Sequence, residues 1–256
     1  MSFTYAGTST DTLAGVTATL KSWPSLGGLS VETVDVPGQD GLFYASHQSA
    51  QTEWVFDVIV QGTTPAQVAA RRDAFVGLLD PSRGPRPLIV ETDTAWQYTG
   101  VMVTGPITWD RMAWARDTGF ALRADVTLAT VDGDPSATEV TPTALAVAGA
   151  TSVTLTAGNT ATYPRMEFPS GGDITVQLGT YTLHLTGTPT GGTAVLDWAA
   201  MDFYVRNASG ARTRSLVPFM DTYDRPMLHL GQTVTARVTR AGSTLAATLY
   251  PNPRRI

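Results

Sequence analysis

His47, His184 and His229 are the only imidazoles in the chain, and none has a second histidine or a carboxylate at a metal-ligand spacing. They read as structural or surface residues. His184 shares a strand phase with Thr182 and Thr186 and is expected to face outward. Asp40, Ser46 and His47 have the residue types of a hydrolase triad, in which an acid orients a histidine that deprotonates a serine. No serine sits in the glycine-flanked elbow that such a nucleophile needs, so catalysis is not expected. Asp132 and Asp134 have the chemistry of calcium ligands, but Pro135 follows and the later ligands of a binding loop are missing; the reading is a plain turn. Paired carboxylates for glycoside hydrolysis can be remote in the chain, and nothing singles out a pair. Trp54, Trp96, Trp109, Trp114 and Trp198 offer ring faces for sugar stacking, against the simpler reading of core and interface packing. Asn207, Ala208 and Ser209 match the glycosylation sequon, which matters only in an exported chain. No metal or cofactor is expected.

The elements that would position these residues are almost all strands. The exception lies between Glu53 and Val90. Trp54, Val55, Phe56, Val58, Ile59 and Val60 fill both phases of a period-two pattern, which predicts a core strand covered on both faces. A helix then begins where Thr64 can cap, Pro65 takes the first helical position, and Gln67 can close a capping box onto Thr64. Val68, Phe75, Leu78 and Leu79 form its apolar stripe, and Asp80, Pro81, Gly84, Pro85 and Pro87 stop it before the strand at Leu88 to Val90.

On either side the signals are β. Phe3 and Tyr5, then Val16, Ala18 and Leu20, read as short strands, and Pro37 to Gly41 as a tight turn. Trp96 and Tyr98 change face at Gly100 before Val101 and Val103, as at a bulge. Phe120, Leu122, Ala124, Val126 and Leu128 alternate with polar residues in a half-buried strand. Asp132 to Ser136 breaks the pattern and marks an expected boundary between domains 1–135 and 136–256. Beyond it come period-two runs at Ile174 to Leu178, Tyr181 to Leu185, Met201 to Val205, Val234 to Val238 and Leu245 to Leu249, which predict an antiparallel β-sandwich.

Composition excludes several classes. With 43% hydrophobic residues over 256 positions the chain can bury a full core, and the length suits two compact domains or one large β-domain. A net charge of -5 with scattered cations does not suit nucleic-acid recognition, which needs clustered lysine and arginine. With no cysteine there is neither a disulfide framework nor a thiolate metal site, so stability must come from packing or assembly. The start has no charged region followed by an apolar run, and the apolar stretch Ala144 to Ala150 is too short to span a bilayer; no export signal or membrane segment is expected.

The order of elements resembles that of the distal tail proteins of siphophages, the long-tailed, non-contractile bacteriophages. The opening Phe3, Thr4, Tyr5, Ala6 and Gly7 is similar to the family's aromatic and glycine start. Gly38, Gln39, Asp40 and Gly41 stand where the family usually reads Gly, Arg, Asp, Gly, so an ion pair made by that arginine is not carried over to Gln39. The strand from Trp54, the helix from Thr64 to Leu79 and the strand Trp96 to Val103 follow in the family's order. In the second half Gly158 and Asn159 before Tyr163 and Pro164, Val195 to Asp197, Leu228 to Gly231, and Tyr250 to Arg254 match in style.

This resemblance implies a mainly β chain: a split β-barrel of tail-tube type with one flanking helix, followed by a galectin-like antiparallel β-sandwich. It further implies a ring of six copies at the distal end of the tail in the virion, joining the tail tube protein to the hub of the tip or baseplate and leaving a channel for DNA. The ring interface is expected at Gly38, Gln39, Asp40, Gly41, Trp54 and Phe56. The competing expectation is a carbohydrate-binding module that grips the host wall through Trp198, Tyr204 or Tyr223. An enzyme is the third and least supported.

Overall fold

The computed structural model describes residues 2–22, 29–35, 42–49, 51–117, 119–131 and 136–255, with the backbone alone at 29–31, 34–35 and 42–49. By its contacts the chain divides into two units, Met1–Val140 and Thr141–Arg255. The sequence break at Asp132 to Ser136 lies just before this division, because the strand Ala137–Glu139 still pairs within the first unit.

In the first unit the strands are β1 Phe3–Tyr5, β2 Thr8–Ser9, β3 Val16–Ser22, β4 Leu29–Asp35, β5 Leu42–Ser49 and β6 Glu53–Gly62. Helix α1, Pro65–Leu78, leads to β7 Arg86–Val90, β8 Trp96–Val103, β9 Asp110–Ala115, β10 Gly119–Thr130 and β11 Ala137–Glu139. The main sheet runs β2-β1-β7-β8-β10-β6-β3, antiparallel at every ladder, with β9 added to β10 and β11 to β8; β4 and β5 pair with each other.

Four steps separate β1 from β6, and at about 4.8 Å per step a flat sheet would hold them roughly 19 Å apart. Yet the Phe3 and Phe56 rings lie 4.3 Å apart, and the Tyr5 hydroxyl donates to the Val101 carbonyl at 3.0 Å. The sheet therefore curls, and its concave side holds the core. Trp54, Phe56, Val58 and Val60 of β6 are fully buried there. Val55, Asp57 and Ile59 on the other face are only half-buried, so the expected cover on both faces of this strand is corrected to cover on one.

Helix α1 packs on β6, β10 and β3 and buries Val68, Phe75 and the C-capping Leu79. Thr64 Oγ1 accepts the Gln67 amide at 3.2 Å, as the cap requires. The returning half of the box is displaced by one residue: Gln67 Oε1 accepts from the amide and hydroxyl of Thr63, at 3.1 and 2.9 Å. Gly15 lets the preceding turn reach the sheet. Its φ is +69° and a Cβ there would stand 2.6 Å from the Gln61 carbonyl.

Two further sheets build the second unit. Its strands are β12 Leu145–Ala148, β13 Thr151–Thr154, β14 Arg165–Pro169, β15 Gly172–Leu178, β16 Tyr181–Thr188 and β17 Thr193–Asp197. They continue with β18 Asp202–Arg206, β19 Arg212–Ser215, β20 Thr233–Arg240, β21 Ser243–Thr244 and β22 Ala246–Tyr250. One sheet is ordered β12-β22-β14-β17-β18-β19, the other β13-β20-β15-β16 with β21 on β20. Alternate residues of both, among them Met166, Phe168, Leu196, Phe203 and Leu249 against Ile174, Val176, Leu183 and Val238, form one buried cluster, which makes the unit a β-sandwich. Met201, expected at the head of a strand run, instead ends the turn before β18 and is exposed.

Candidate functional site

β10 is the longest strand, and its two sides are used differently. β6 follows one side along almost its whole length, from Phe120 opposite Gly62 to Ala129 opposite Glu53. The other side is shared. β9 pairs with it up to Arg123 opposite Asp110, and β8 takes over at Leu128 opposite Val103. Between them lies a gap, and there a cavity of about 430 Å³ opens among Lys21, Thr108, Asp110, Arg123 and Asp125. One half of the sheet thus reads β3-β6-β10-β9, and among the described residues neither β3 nor β9 has a second neighbour. β9 is mostly exposed, and it carries Met112 and Trp114. Arg111 lies 4.8 Å over the Trp114 ring, which meets Phe120 edge-on.

The convex face of this section carries crossed charges. Asp57 and Asp125 stand directly opposite each other in the β6–β10 register, an arrangement that alone would be repulsive. Each has its own cation: Arg123 grips Asp57 through two hydrogen bonds of 2.7 and 2.8 Å, and Lys21 holds Asp125 at 2.6 Å. Lys21 reaches out because the β3–β6 register shifts between Leu20 and Ser22. The Arg123 hydrogen bond holds the Asp57 carboxyl below its ordinary range, outweighing the opposite pull of burial, and the same pairing raises the Arg123 guanidinium. Such exposed pairs contribute only about 0–1 kcal/mol each. They leave both cations engaged, with Glu53 and Asp110 adding negative charge nearby.

The residues singled out from the sequence fall in several places. Gly38, Gln39, Asp40 and Gly41 lie outside the described residues, as do Asp132, Asp134 and the side chains of Ser46 and His47. Trp54 and Phe56 are sealed in the core of the first unit, so they shape β6 and offer no surface of their own. Trp198 is also fully buried, edge-on to Tyr181 at 5.8 Å, and a ring without solvent access cannot stack on a sugar. Arg212 covers the half-buried Tyr204 ring at 5.0 Å, while Tyr223 is exposed. Trp109 packs edge-on against Phe75 at 6.2 Å. The tryptophans therefore do not make one exposed platform.

His184 faces outward as expected, with Nδ1 3.1 Å from Thr175 Oγ1, and His229 is exposed. No cluster of three metal-ligating side chains occurs among the described residues. A second cavity of about 430 Å³, under the end of α1, is lined mainly by apolar groups such as Val76, Leu79, Val103, Ile107 and Trp109. Among the described residues the geometry thus brings together sheet edges and neutralised charges. The sequence pattern showed the outward phase of Arg123 and Asp125. It could not pair them with Asp57 and Lys21, because that pairing depends on register.

Comparison with known proteins agrees with this architecture. Residues 15–116 match the family model of the phage tail protein RIFT-related domain. Over its full length the chain superposes on the crystal structure of SPP1 Dit (gp 19.1), described as a paradigm of the hub adsorption apparatus in phages infecting Gram-positive hosts. The TM-score is 0.71 at 15% identity, covering 100% of this chain and 99% of that one. The chain has the Dit fold. The resemblance to siphophage distal tail proteins holds in its mainly β, single-helix architecture and in the order of its elements. A component of the phage P2 baseplate in its activated conformation with Ca aligns over 93% of this chain and 90% of that one, at 10% identity and a TM-score of 0.39. No curated protein sequence matches the chain. No helix among the described residues is long and apolar enough to cross a membrane.

Proposed function

We infer that this chain is a structural protein of a phage tail, and that copies of it close into a ring, six by the family resemblance, between the tail tube protein and the hub of the tip. One observation carries the reading: in a chain with the Dit fold, the section β3-β6-β10-β9 has, among the described residues, an unpaired edge on each side. Unpaired edges of long strands invite pairing, and β9 of one copy laid beside β3 of the next would continue the sheet. That contact is heterologous, and repeated with the right rotation it closes on itself. The β4–β5 pair supports the same reading, since two strands alone are marginal in water and a neighbour would cover them. The first unit is the ring-former in this reading, and the second is a galectin-like domain facing outward.

The convex face of the section would line the channel. There Glu53, Asp57, Asp110 and Asp125 outnumber Lys21 and Arg123, and both cations are paired. DNA passing over it would meet no free cation, and phosphate binding depends on such cations. The chain performs no chemistry of its own in this reading, and its place is the distal end of the tail in the virion. A carbohydrate-binding module, the competing reading, has lost Trp198 to the core and keeps only Tyr204 and Tyr223.

Native mass spectrometry of the purified assembly is the direct test. A closed oligomer that falls apart when proline replaces Met112 on β9 supports the ring, and a monomer at every concentration overturns it. For the channel, Thr19→Lys with Ala121→Lys should slow DNA ejection from particles; unchanged ejection counts against an acidic, low-affinity lumen.

A further inference from the structure

One end of the second unit shows an apolar patch that neither core nor sheet edge explains. Met201 closes the turn before β18 at a φ of 51°, where a bulky side chain crowds its own backbone. Its side chain is 41% exposed, so the unfavourable conformation is not offset by burial. Nearby, residues 221–232 run without helix or ladder, apart from single bridges at Leu228 and Leu230. Long irregular segments in compact units are commonly functional. This one exposes Tyr223 by 53% and Met227 by 49%.

Hydrogen bonds gather these residues. Arg225 Nε and Nη2 donate to the carbonyls of Trp198 and Ala199, at 3.0 and 3.2 Å, which ties the segment to the Met201 turn. Tyr223 donates through its hydroxyl to the carbonyl of Val217 at 3.2 Å, and Val217 is itself 40% exposed. The Arg225 guanidinium lies 3.8 Å over the Tyr163 ring, so this cation, though exposed, is engaged within the unit and ties the segment down. A surface fixed before contact loses less freedom on binding. The exposed Met201 and Met227 have unbranched, polarizable chains that fit uneven partners. Asp221 and Asp224 stand exposed beside them and make the rim anionic.

We propose that Met201, Val217, Tyr223 and Met227 form a docking surface for a different protein of the same particle, one that presents apolar side chains flanked by lysine or arginine. The apolar side chains cover the methionines and the cations meet Asp221 and Asp224. The proposal takes its partner from the phage-tail reading above, but it does not depend on a ring.

Methionine oxidation by hydrogen peroxide, followed by peptide mass spectrometry, separates the two. In the free full-length chain Met112, Met201 and Met227 should all oxidise readily, because all three are exposed. In purified particles Met201 and Met227 should react several-fold more slowly. If they react as in the free chain while Met112 on β9 is protected, the ring stands and the docking surface is overturned. If Met201 and Met227 are protected and Met112 is not, the docking surface stands and the edge-to-edge ring is overturned. The occupant is then identified by cross-linking. The chain has no cysteine, so Met227→Cys carrying a photoreactive maleimide reports from one place. A product with a different protein, through a peptide rich in apolar and basic residues, supports the proposal; a product with another copy of this chain, or none, overturns it.

Discussion

The two units close their cores in different ways, and each leaves a different kind of surface. In the first, a curled sheet is plugged by one helix, and among the described residues β3 and β9 remain as open edges. In the second, two sheets face each other and the outermost strands are blunted. β12 and β19 are four residues long, β19 carries Arg212 and Arg214, and β16 is bridged at Leu185 by Met220. The first unit therefore offers backbone donors and acceptors to a neighbour. The second offers side chains.

Independence of the two cores is the sharpest point at which to break this comparison. Phe75 and Trp198 are the large plugs of separate clusters. Phe75→Ala should cost the first unit about 3–5 kcal/mol, and Trp198→Ala the second a similar amount. Urea unfolding followed in both variants should move one transition each; a single transition moved by both would make the division meaningless.

Charge separates the units next. Glu167 is only 7% exposed and takes a guanidinium on each carboxylate oxygen, Arg165 on one and Arg206 on the other. Glu167→Ala leaves two cations without their partner in a poorly solvated place, and the loss should be about 1–3 kcal/mol. Asp57→Asn on the open convex face of the first unit should cost no more than about 1 kcal/mol. Equal losses in denaturant titrations would erase the distinction.

Much of the first unit's frame was legible because it rests on local rules. The helix, its Thr64 cap and the buried stripe of Val68, Phe75 and Leu79 follow from spacing alone, and Thr64→Ala should lower stability by about 1 kcal/mol in the same titrations. The box partner was misplaced by one residue because a glutamine side chain reaches Thr63 as easily as Thr64. The β6 pattern misled for a different reason: Val55 and Ile59 are β-branched on a face that is only half covered, and residue type does not report coverage. Met201 was lost to a left-handed turn that periodicity cannot see, and Trp198 reads the same in sequence whether it is displayed or sealed. Open edges are harder still, since no single strand knows its neighbours.

The smallest effect concerns pH. Asp57 has its folded value lowered by Arg123, so its contribution to stability is present above the ordinary carboxylate range and is lost as pH falls through the folded value. The stability of the parent chain should approach that of Asp57→Asn on acidification; a constant gap down to low pH would remove Arg123 as the cause.

The irregularity between β7 and β8 has a mechanical meaning. Arg86 stands opposite Val101 and Leu88 opposite Tyr98, so β8 carries one extra residue across from Pro87, whose carbonyl is turned the other way to accept the Ala6 amide just past β1. Sliding one strand past the other by a single place would swing Tyr98 away from Trp54 towards water. Lodged between Trp54 and the bulge, Tyr98 acts as a peg that ties the register of the two strands to the burial of the core.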